Sequence, residues 1–353
     1  MLILNDLHLG VSRKSGVTPA SQEALRTYLF DSFRRALNET PETTVMILGD
    51  LFDSFEISPR DWVETYHILR WWLHGNPYRT LILVAGNHDI SERGNKVSSF
   101  QVLCEVFQAT ANVAVIGINE WALVPHGIAL AHCANQEIFE MKLKEIVEKN
   151  GQQEFLFLHA NFDNNFAAQS DHSLNVSREQ AQRLIDAGLT LVFAHEHQSR
   201  RPMKGVIVLG NQWPSSISDC LNNDEKFRHI ARESPHGPIL LGIPTWCRHT
   251  ENGYAELDWR DLSLDCPDKF IRVQGEATAV EAAEVINAIT KFRSKHHAYV
   301  ISNAVRVDGI LQDNELPATL EAVKGFDCYS FIEERLDEEE RVVVGKLKER
   351  IET

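Results

Sequence analysis

The sequence has no long apolar segment, no cysteine framework and no leader-like beginning. No apolar run approaches the ~20 residues that cross a bilayer, so we expect no transmembrane helix. A strand-forming run begins directly at Met1 without a basic region before it, and we therefore expect no signal peptide. The six cysteines include no CxxC pair: Cys104, Cys133, Cys220, Cys247, Cys266 and Cys328. We expect reduced thiols in a cytoplasmic protein that does not bind membranes.

A basic excess is also absent. The formal net charge is −15 at pH 7, whereas proteins that bind nucleic acid usually carry a basic surface. Basic residues concentrate at Arg200, Arg201 and Lys204, which form either an ordinary solvated turn or a group that faces phosphate. The 353 residues, 43% of them hydrophobic and without repeats, predict one large globular domain and a smaller one.

Five short apolar runs end in polar side chains of the kinds that bind metals. In TLILVAGNHD, residues 80–89, the run stops at Gly86 and is followed by Asn87, His88 and Asp89. The other four runs end in the same way, with Asp6 and His8, with Asp50 and Asp53, with His159, and with His195 and His197. One such residue alone is more typical of a cap or a satisfied polar group. The ordered set predicts a metal site at the carboxyl edge of a sheet, where open α/β sheets usually bind ligands.

Helical patterns separate these runs. Thr18-Pro19 and Ser58-Pro59 are typical helix starts. The helices that they open carry apolar faces made of Leu25, Leu29, Phe33 and Leu37 in the first, and of Trp62, Tyr66, Leu69 and Leu73 in the second. We interpret Trp71 and Trp72 as packing residues. Further helices are predicted over 96–108, over 135–149 with an end at Asn150-Gly151, and after the capping box of Ser177 and Gln180.

Short strand-like segments with glycine turns predict a second sheet packed on the first. They are VAVIG (113–117), WALVP (121–125), GIALAH (127–132), GVIVLG (205–210), GPILLG (237–242) and GYAELDW (253–259). The polar loop after His159 is expected to border the substrate, with Phe162 and Phe166 anchoring it. His126 and His132 are interpreted as structural or surface histidines.

The composition changes near Cys266-Pro267. A strand at 269–274, a helix at 280–292 and a strand at 298–308 predict a small βαβ unit. An acidic helical segment follows at 331–353, and it either packs back on this unit or docks on a partner. We therefore predict two domains, a catalytic domain over 1–265 and an α/β cap domain with the terminal helix over 266–353.

The motifs DLH, GDLFD, GNHD, a lone histidine after a strand and HEH, in this order, resemble those of the calcineurin-like metallophosphoesterases. They extend from residue 6 to residue 197, and one departure is visible, since Ala194 stands where the family usually has glycine. The resemblance implies an α/β fold, a two-sheet β-sandwich flanked by helices. It also implies two divalent metal ions. Manganese is the first candidate, and iron, zinc and magnesium are the alternatives.

The same resemblance implies a role for each motif residue. Asp6, His8, Asp50 and His197 would hold one metal ion. Asp50, Asn87, His159 and His195 would hold the other, with Asp50 as the bridge between them. His88 would meet the leaving oxygen as a general acid or donor. Asp89 would either orient His88 or cap the turn.

The subfamily is predicted from smaller features. Ser54 and Phe55 after GDLFD, and Asp89 in GNHD, differ from the serine/threonine phosphatases. GNQWPSSISD, residues 210–219, resembles a stretch of the SbcD-type nucleases of DNA break repair. That resemblance implies DNA as the substrate and an SbcC-like coiled-coil ATPase as a partner, with a homodimer left open. The alternatives are a phosphodiesterase for a nucleotide or other small molecule, which suits the acidic charge, and a scaffold without catalysis.

Overall fold

The structure is a computed structural model that describes residues 1–11, 19–89, 96–149, 154–164, 173–235, 237–250, 253–263, 269–296 and 298–308. The helices are α1 (Pro19–Glu39), α2 (Pro59–His74), α3 (Ser99–Gln108), α4 (Gln136–Lys149), α5 (Arg178–Asp186), α6 (Ile217–Asn222) and α7 (Ala282–Lys295), with a 3₁₀ turn at Ala279–Glu281. The strands are β1 (Leu2–Leu4), β2 (Thr44–Leu48), β3 (Thr80–Val84), β4 (Val113–Ile116), β5 (Trp121–Val124), β6 (Gly127–Leu130), β7 (Glu154–His159), β8 (Asn161–Phe162), β9 (Asn175–Val176), β10 (Leu189–Ala194), β11 (Arg200–Met203), β12 (Val206–Val208), β13 (Glu225–Arg232), β14 (Ile239–Cys247), β15 (Tyr254–Asp258), β16 (Phe270–Gln274), β17 (Glu276–Ala277), β18 (Val300–Asn303) and β19 (Arg306–Val307).

Two six-stranded sheets form the centre of the fold. The first has the order β14-β13-β1-β2-β3-β4, and the second has the order β11-β12-β10-β7-β6-β5. Strands β1 to β4 are parallel to one another, as are β6, β7, β10 and β12. The predicted two-sheet α/β fold is confirmed.

Alternate residues of the second sheet enter two different cores, because successive side chains of a strand point to opposite faces. Phe157 and Val192 belong to the core shared with the first sheet. Leu158 and Phe193 belong to the core that includes residues of α4 and α5. Helices therefore cover the outer face of the second sheet while its inner face packs on the first.

The predicted helix starts and faces are largely confirmed. Ser58 caps α2 through a hydrogen bond to the Asp61 N–H, with Pro59 in the first turn. The capping box of Ser177 and Gln180 opens α5. The four leucine and phenylalanine residues predicted for the apolar face of α1 are all buried. The N-cap predicted at Thr18 and the helix end predicted at Asn150-Gly151 lie outside the described residues.

Three strand assignments made from the sequence are wrong. The sequence predicts VAVIG in the second sheet, but β4 pairs with β3 in the first. The strand within GPILLG, β14, pairs with β13 and also lies in the first sheet. GYAELDW forms β15, which joins β16 and β18 in a separate three-stranded sheet. Local sequence shows that each segment is extended, but not which partner strand it meets.

Trp71 is a further correction. Trp72 is fully buried as predicted, but Trp71 is 66% exposed. It lines an apolar groove of about 900 Å³ together with Val63 and Leu37, between α1 and α2. Adjacent helical residues point about 100° apart, so one tryptophan of the pair faces the core and its neighbour does not.

The contacts divide the chain into two compact units. One comprises Met1–Gly275 with Glu284–Val305, and the other comprises Glu276–Ala283 with Arg306–Thr353. The predicted βαβ unit is present as β16, α7 and β18, with the two strands parallel. Of the second unit, the structure describes the 3₁₀ turn and the pair β17 and β19. The predicted division at residue 265 stays a prediction, and the predicted terminal helix at 331–353 lies outside the described residues.

Among the described residues, no helix combines the length and the apolar character that crossing a membrane requires.

Candidate metal centre

The five predicted strand ends meet where the two sheets come together. Two polar contacts join loops that follow different sheets. His159 Nε2 lies 3.2 Å from Asp50 Oδ2, and the main-chain N–H of His195 donates to Asp6 Oδ2 at 3.1 Å. The sequence predicts the edge of a single sheet, but β1, β2 and β3 belong to the first sheet and β7 and β10 to the second, so the residues meet between the carboxyl ends of two sheets.

Two groups of side chains have the spacing of metal sites. The first group is Asp6, His8 and His197, and the second is Asp50, His159 and His195. Within each group the candidate ligand atoms all lie within 4.8 Å of one another. Nε2 of His8 is 3.0 Å from Nε2 of His197. Each of the two groups could hold one cation.

Asn87 extends the second group. Its Oδ1 lies 2.9 Å from Nε2 of His159. The structure thus gathers all seven residues that the motifs predict as ligands. Their roles as ligands, and the bridging role of Asp50, stay predictions.

The backbone at this edge is strained. Asp6, His8, Asp50 and His195 have φ angles of +49°, +45°, +49° and +83°. Such left-handed conformations are uncommon for residues other than glycine and often mark functional sites. Main-chain bonds between the first two loops help to hold them, since the His8 N–H donates to the Asp50 carbonyl at 3.1 Å.

Two glycines permit the close approach of the predicted ligand residues. A Cβ at Gly49 would overlap the imidazole ring of His159, and a Cβ at Gly86 would overlap the Asp50 carboxylate and main chain. The departure at Ala194 is compatible with the site, because the left-handed residue is the following one, His195. Alanine therefore fits at the end of β10.

His88 lies at the open side of the two groups. Its Nδ1 donates to the main-chain carbonyl of Asp53 at 2.6 Å, and its Nε2 is 4.0 Å from Asp50 Oδ2. The side chain is 33% exposed, whereas that of Asp50 is 2% exposed. The Asp53 carbonyl therefore fixes the His88 ring, and the side chain stays partly exposed beside the two groups.

Asp89 is buried in the turn. Its Oδ2 accepts the main-chain N–H of Gly86 at 2.9 Å. Of the two roles that the sequence left open, this contact supports the cap, and the Asp53 carbonyl orients His88 instead. Burial, together with the charge of Asp50, raises the pKa of Asp89 to about 7.

The second group has strong internal charge pairing. Burial opposes the charged form of Asp50, but the positive His159 beside it holds the Asp50 pKa well below its usual range. Burial likewise opposes the charged form of His159, and the carboxylate of Asp50 outweighs it and raises the His159 pKa to about 9. In the first group, burial and the nearby His197 lower the pKa of His8 to about 3.

Four residues support the candidate ligands, and the sequence predicts an individual role for none of them. Asp219 accepts a hydrogen bond from His197 Nδ1 at 2.7 Å, and Asp53 Oδ1 is 3.4 Å from His8 Nδ1. Gln212 bonds to Asn5, whose side-chain amide donates in turn to Asp6 Oδ2. Gln212 and Asp219 lie within the GNQWPSSISD stretch, whose resemblance to the SbcD-type nucleases does not by itself give a chemical role to either residue.

Arg200 of the basic cluster contacts the loop that follows His159. Phe162 is buried and anchors the loop as predicted, while Phe166 lies outside the described residues. Arg200 pairs with Glu196 at 2.7 Å and stacks over the Phe162 ring at 5.6 Å. Arg200 is therefore engaged within the fold and holds the HEH turn to this loop.

His126 and His132 are not among the ligand groups that the described residues form. His126 pairs with Glu233 at 2.8 Å. His132 is buried, and burial together with nearby His159 lowers its pKa to about 3. These environments agree with a surface and a structural histidine.

The donor atoms of the centre fit divalent metal ions. Asp6 Oδ1 is buried and has no hydrogen-bond partner among the described residues, while Oδ2 accepts from Asn5 and His195. A buried carboxylate oxygen without a partner is costly unless a cation satisfies it. The set of carboxylate, amide and imidazole groups suits manganese, iron or zinc better than calcium.

The family is established by sequence comparison. Residues 1–199 match the sequence profile of the calcineurin-like phosphoesterases. The chain therefore belongs to the calcineurin-like phosphoesterase family, whose members are metal-dependent phosphoester hydrolases that use two divalent metal ions. A comparison with curated proteins finds no match for the chain.

Proposed function

We propose that this phosphoesterase is a DNA nuclease that hydrolyses phosphodiester bonds with two divalent metal ions, for which manganese is the first candidate. The observation that carries the proposal is the adjacency of the two ligand groups, with His88 at their open side. Asp6, His8, Asp50 and His197 would hold one ion, and Asp50, Asn87, His159 and His195 the other. When bound, such ions neutralise phosphate charge and acidify an attacking water.

The chain's own residues supply the remaining chemistry. Hydrolysis breaks the bond between phosphorus and the ester oxygen, and that oxygen needs a proton. His88 in its imidazolium form donates it from Nε2, because Nδ1 is already engaged by the Asp53 carbonyl. Amide side chains line the cleft beside the groups, a cleft of about 350 Å³ that includes Asn161, Asn164, Gln198 and Asn222. They offer hydrogen bonds to a sugar–phosphate backbone.

The preference for DNA has its own support. The stretch that resembles SbcD-type nucleases, 210–219, carries Asp219 and Gln212, which support His197 and, through Asn5, Asp6. A resemblance located at the centre is more informative about chemistry than one at the surface.

A small-molecule phosphodiesterase is the second candidate. The net charge of −15 favours it, because an acidic surface repels the phosphates of long nucleic acids. Glu196 also lines the cleft, although it is paired with Arg200.

The two candidates are separated by a substrate comparison. The metal-free protein is supplied with Mn²⁺ and given end-labelled duplex DNA, single-stranded DNA, cyclic nucleotides and nucleotide diesters. The nuclease proposal predicts cleavage of DNA that Asp50→Asn abolishes. Efficient hydrolysis of cyclic nucleotides without cleavage of either DNA would overturn it.

Partner and location are also proposed. We infer an SbcC-like coiled-coil ATPase as the partner, in the cytoplasm, with residues 331–353 as the docking segment, and a homodimer stays an open alternative. The apolar residues of that segment support this: Ile332, Leu336, Val343, Val344, Leu347 and Ile351. Deleting 331–353 should abolish capture by a purified ATPase of this type and preserve Mn²⁺-dependent activity. Capture that survives the deletion would contradict the assignment.

A further inference from the structure

His197 and His159 are held by different partners at Nδ1. Its Nδ1 donates to Oδ1 of Asp219 at 2.7 Å. The Nδ1 of His159 instead faces the main-chain carbonyl of Leu48, at 3.2 Å. Of these two described contacts, the one made by His197 Nδ1 is to a carboxylate and the one made by His159 Nδ1 is to a main-chain carbonyl.

Asp219 is itself fixed in place. It is 2% exposed, and its Oδ2 accepts both the main-chain N–H and the hydroxyl of Ser215, at 2.9 and 3.0 Å. Its own N–H donates to the Ser216 hydroxyl at 3.2 Å. Because these bonds occupy the second oxygen, the carboxylate has one orientation and presents Oδ1 to His197.

Lys226 holds the main chain of the same histidine. Its ammonium group donates to the His197 carbonyl at 3.1 Å, and the residue is 1% exposed. A lysine is rarely buried to this extent unless its charge is compensated. The negative charge of Asp219 favours the charged form of the Lys226 ammonium group. The imidazole and the peptide of His197 are thus fixed by two buried residues of opposite charge.

We propose that Asp219 is the positioning residue for the metal held by Asp6, His8 and His197. By accepting a hydrogen bond from Nδ1–H, it leaves Nε2 as the ligand atom, and Nε2 is the atom that lies 3.0 Å from Nε2 of His8. A carboxylate behind a metal-binding histidine fixes its tautomer and raises its basicity. The inference rests on the ligand assignment of the proposed function, and it adds that the first group depends on Asp219 while the second does not.

The test measures Mn²⁺ binding by the full-length protein, by equilibrium dialysis, in two backgrounds. His159→Ala leaves the first group as the main site, and His8→Ala leaves the second. In the His159→Ala background, Asp219→Ala should weaken Mn²⁺ binding about 10–100-fold. In the His8→Ala background it should leave the affinity unchanged. A merely structural carboxylate would weaken both sites alike.

A control carboxylate and a conservative variant sharpen the test. Asp61 is also buried and also bonds a serine, Ser58, but it belongs to α2 and contacts Arg26 instead of a ligand. Asp61→Ala should lower the melting temperature without changing Mn²⁺ affinity in either background. Asp219→Asn keeps an oxygen acceptor and loses the charge, so it should weaken the first site less than Asp219→Ala does. If Asp219→Ala does not fold, an unchanged first-site affinity in Asp219→Asn overturns the proposal.

The outcomes separate this inference from the ligand assignment. Two ions bound by the wild type, with neither site sensitive to Asp219, would overturn the inference alone. Equal weakening in both backgrounds would also overturn it. A wild-type protein that binds no Mn²⁺ would overturn both the ligand assignment and the inference.

Discussion

The imidazole Nε2 of His159 lies 3.2 Å from the carboxylate Oδ2 of Asp50, although the two residues belong to different sheets. His159 ends β7 of the second sheet, and Asp50 follows β2 of the first. Both side chains are almost fully buried, so their charges depend on one another. The pair joins the two sheets at the centre and underlies the first prediction.

Asp50→Asn should remove both metal ions and abolish hydrolysis. The substitution keeps the volume but removes the charge that compensates His159, and in the proposed site it removes the bridging ligand. Metal content after loading with Mn²⁺ and desalting should fall from two ions per chain to none. Asp61→Asn is the control for loss of a buried carboxylate, and a variant at Asp50 that keeps one full ion would contradict the bridge.

His88→Ala should separate metal binding from chemistry. The described contacts hold His88 through the Asp53 carbonyl, so the metal content should stay near two ions per chain. Turnover should fall ~10²–10⁴-fold, the usual contribution of a positioned proton donor. The loss should be larger for alkyl diesters than for p-nitrophenyl diesters, whose leaving oxygen needs little protonation. Equal losses for both, or the loss of an ion, would contradict the role assigned to His88.

Gly49→Ala should damage the centre through crowding. A Cβ at this position overlaps the His159 ring, and the φ of +78° adds strain. Gly237, with φ +102° and no described atom within 4 Å of a built Cβ, is the matched control. Left-handed strain should cost each variant about 1–2 kcal/mol of unfolding free energy. Gly49→Ala should lose about a further 1–3 kcal/mol from overpacking and should bind less Mn²⁺, as measured by urea unfolding and dialysis. Equal losses in both variants would contradict the crowding argument.

His229 should make the fold sensitive to acid. It is buried in β13, and burial together with the charge of Arg201 lowers its pKa to about 4 from 6.5. Between these pH values the unfolded chain binds the proton that the folded chain excludes, so the unfolding free energy falls as the pH falls. Each pH unit of the shift is worth 1.36 kcal/mol, which gives at most about 3 kcal/mol.

The measurement is urea unfolding of metal-free protein from pH 7 to pH 4. His229→Leu should remove part of the fall that the wild type shows in this window. A variant whose unfolding free energy runs parallel to that of the wild type at every pH would show that His229 does not carry the effect.

The sequence identified the ordered strand ends because each one combines a buried run with an abrupt polar end. That local signal does not depend on which strands pair, and the structure gathers those residues. Strand partners depend on contacts between distant segments, and for this reason the sequence predicts the wrong sheet for β4 and β14. No strand was predicted at β13, where charged residues such as Lys226 and Arg228 interrupt the apolar pattern, although both are buried.

The supporting residues of the centre could not be predicted for a related reason. Asp219 follows Ser216 by three residues, and an acid at that spacing is typical of the first turn of a helix. In the structure its N–H bonds to the Ser216 hydroxyl, in agreement with that local pattern. Its contact with His197 depends on two segments that meet only in the folded chain.

The dependence of phosphodiester hydrolysis on bound manganese tests the central claim most directly. Metal-free protein is titrated with Mn²⁺, and the initial rate of hydrolysis of a p-nitrophenyl diester is followed against the number of ions bound. The account predicts that the rate rises until two ions are bound per chain and that His8→Ala and His159→Ala both prevent this rise. Full activity with one bound ion, or hydrolysis unaffected by both substitutions, would contradict it.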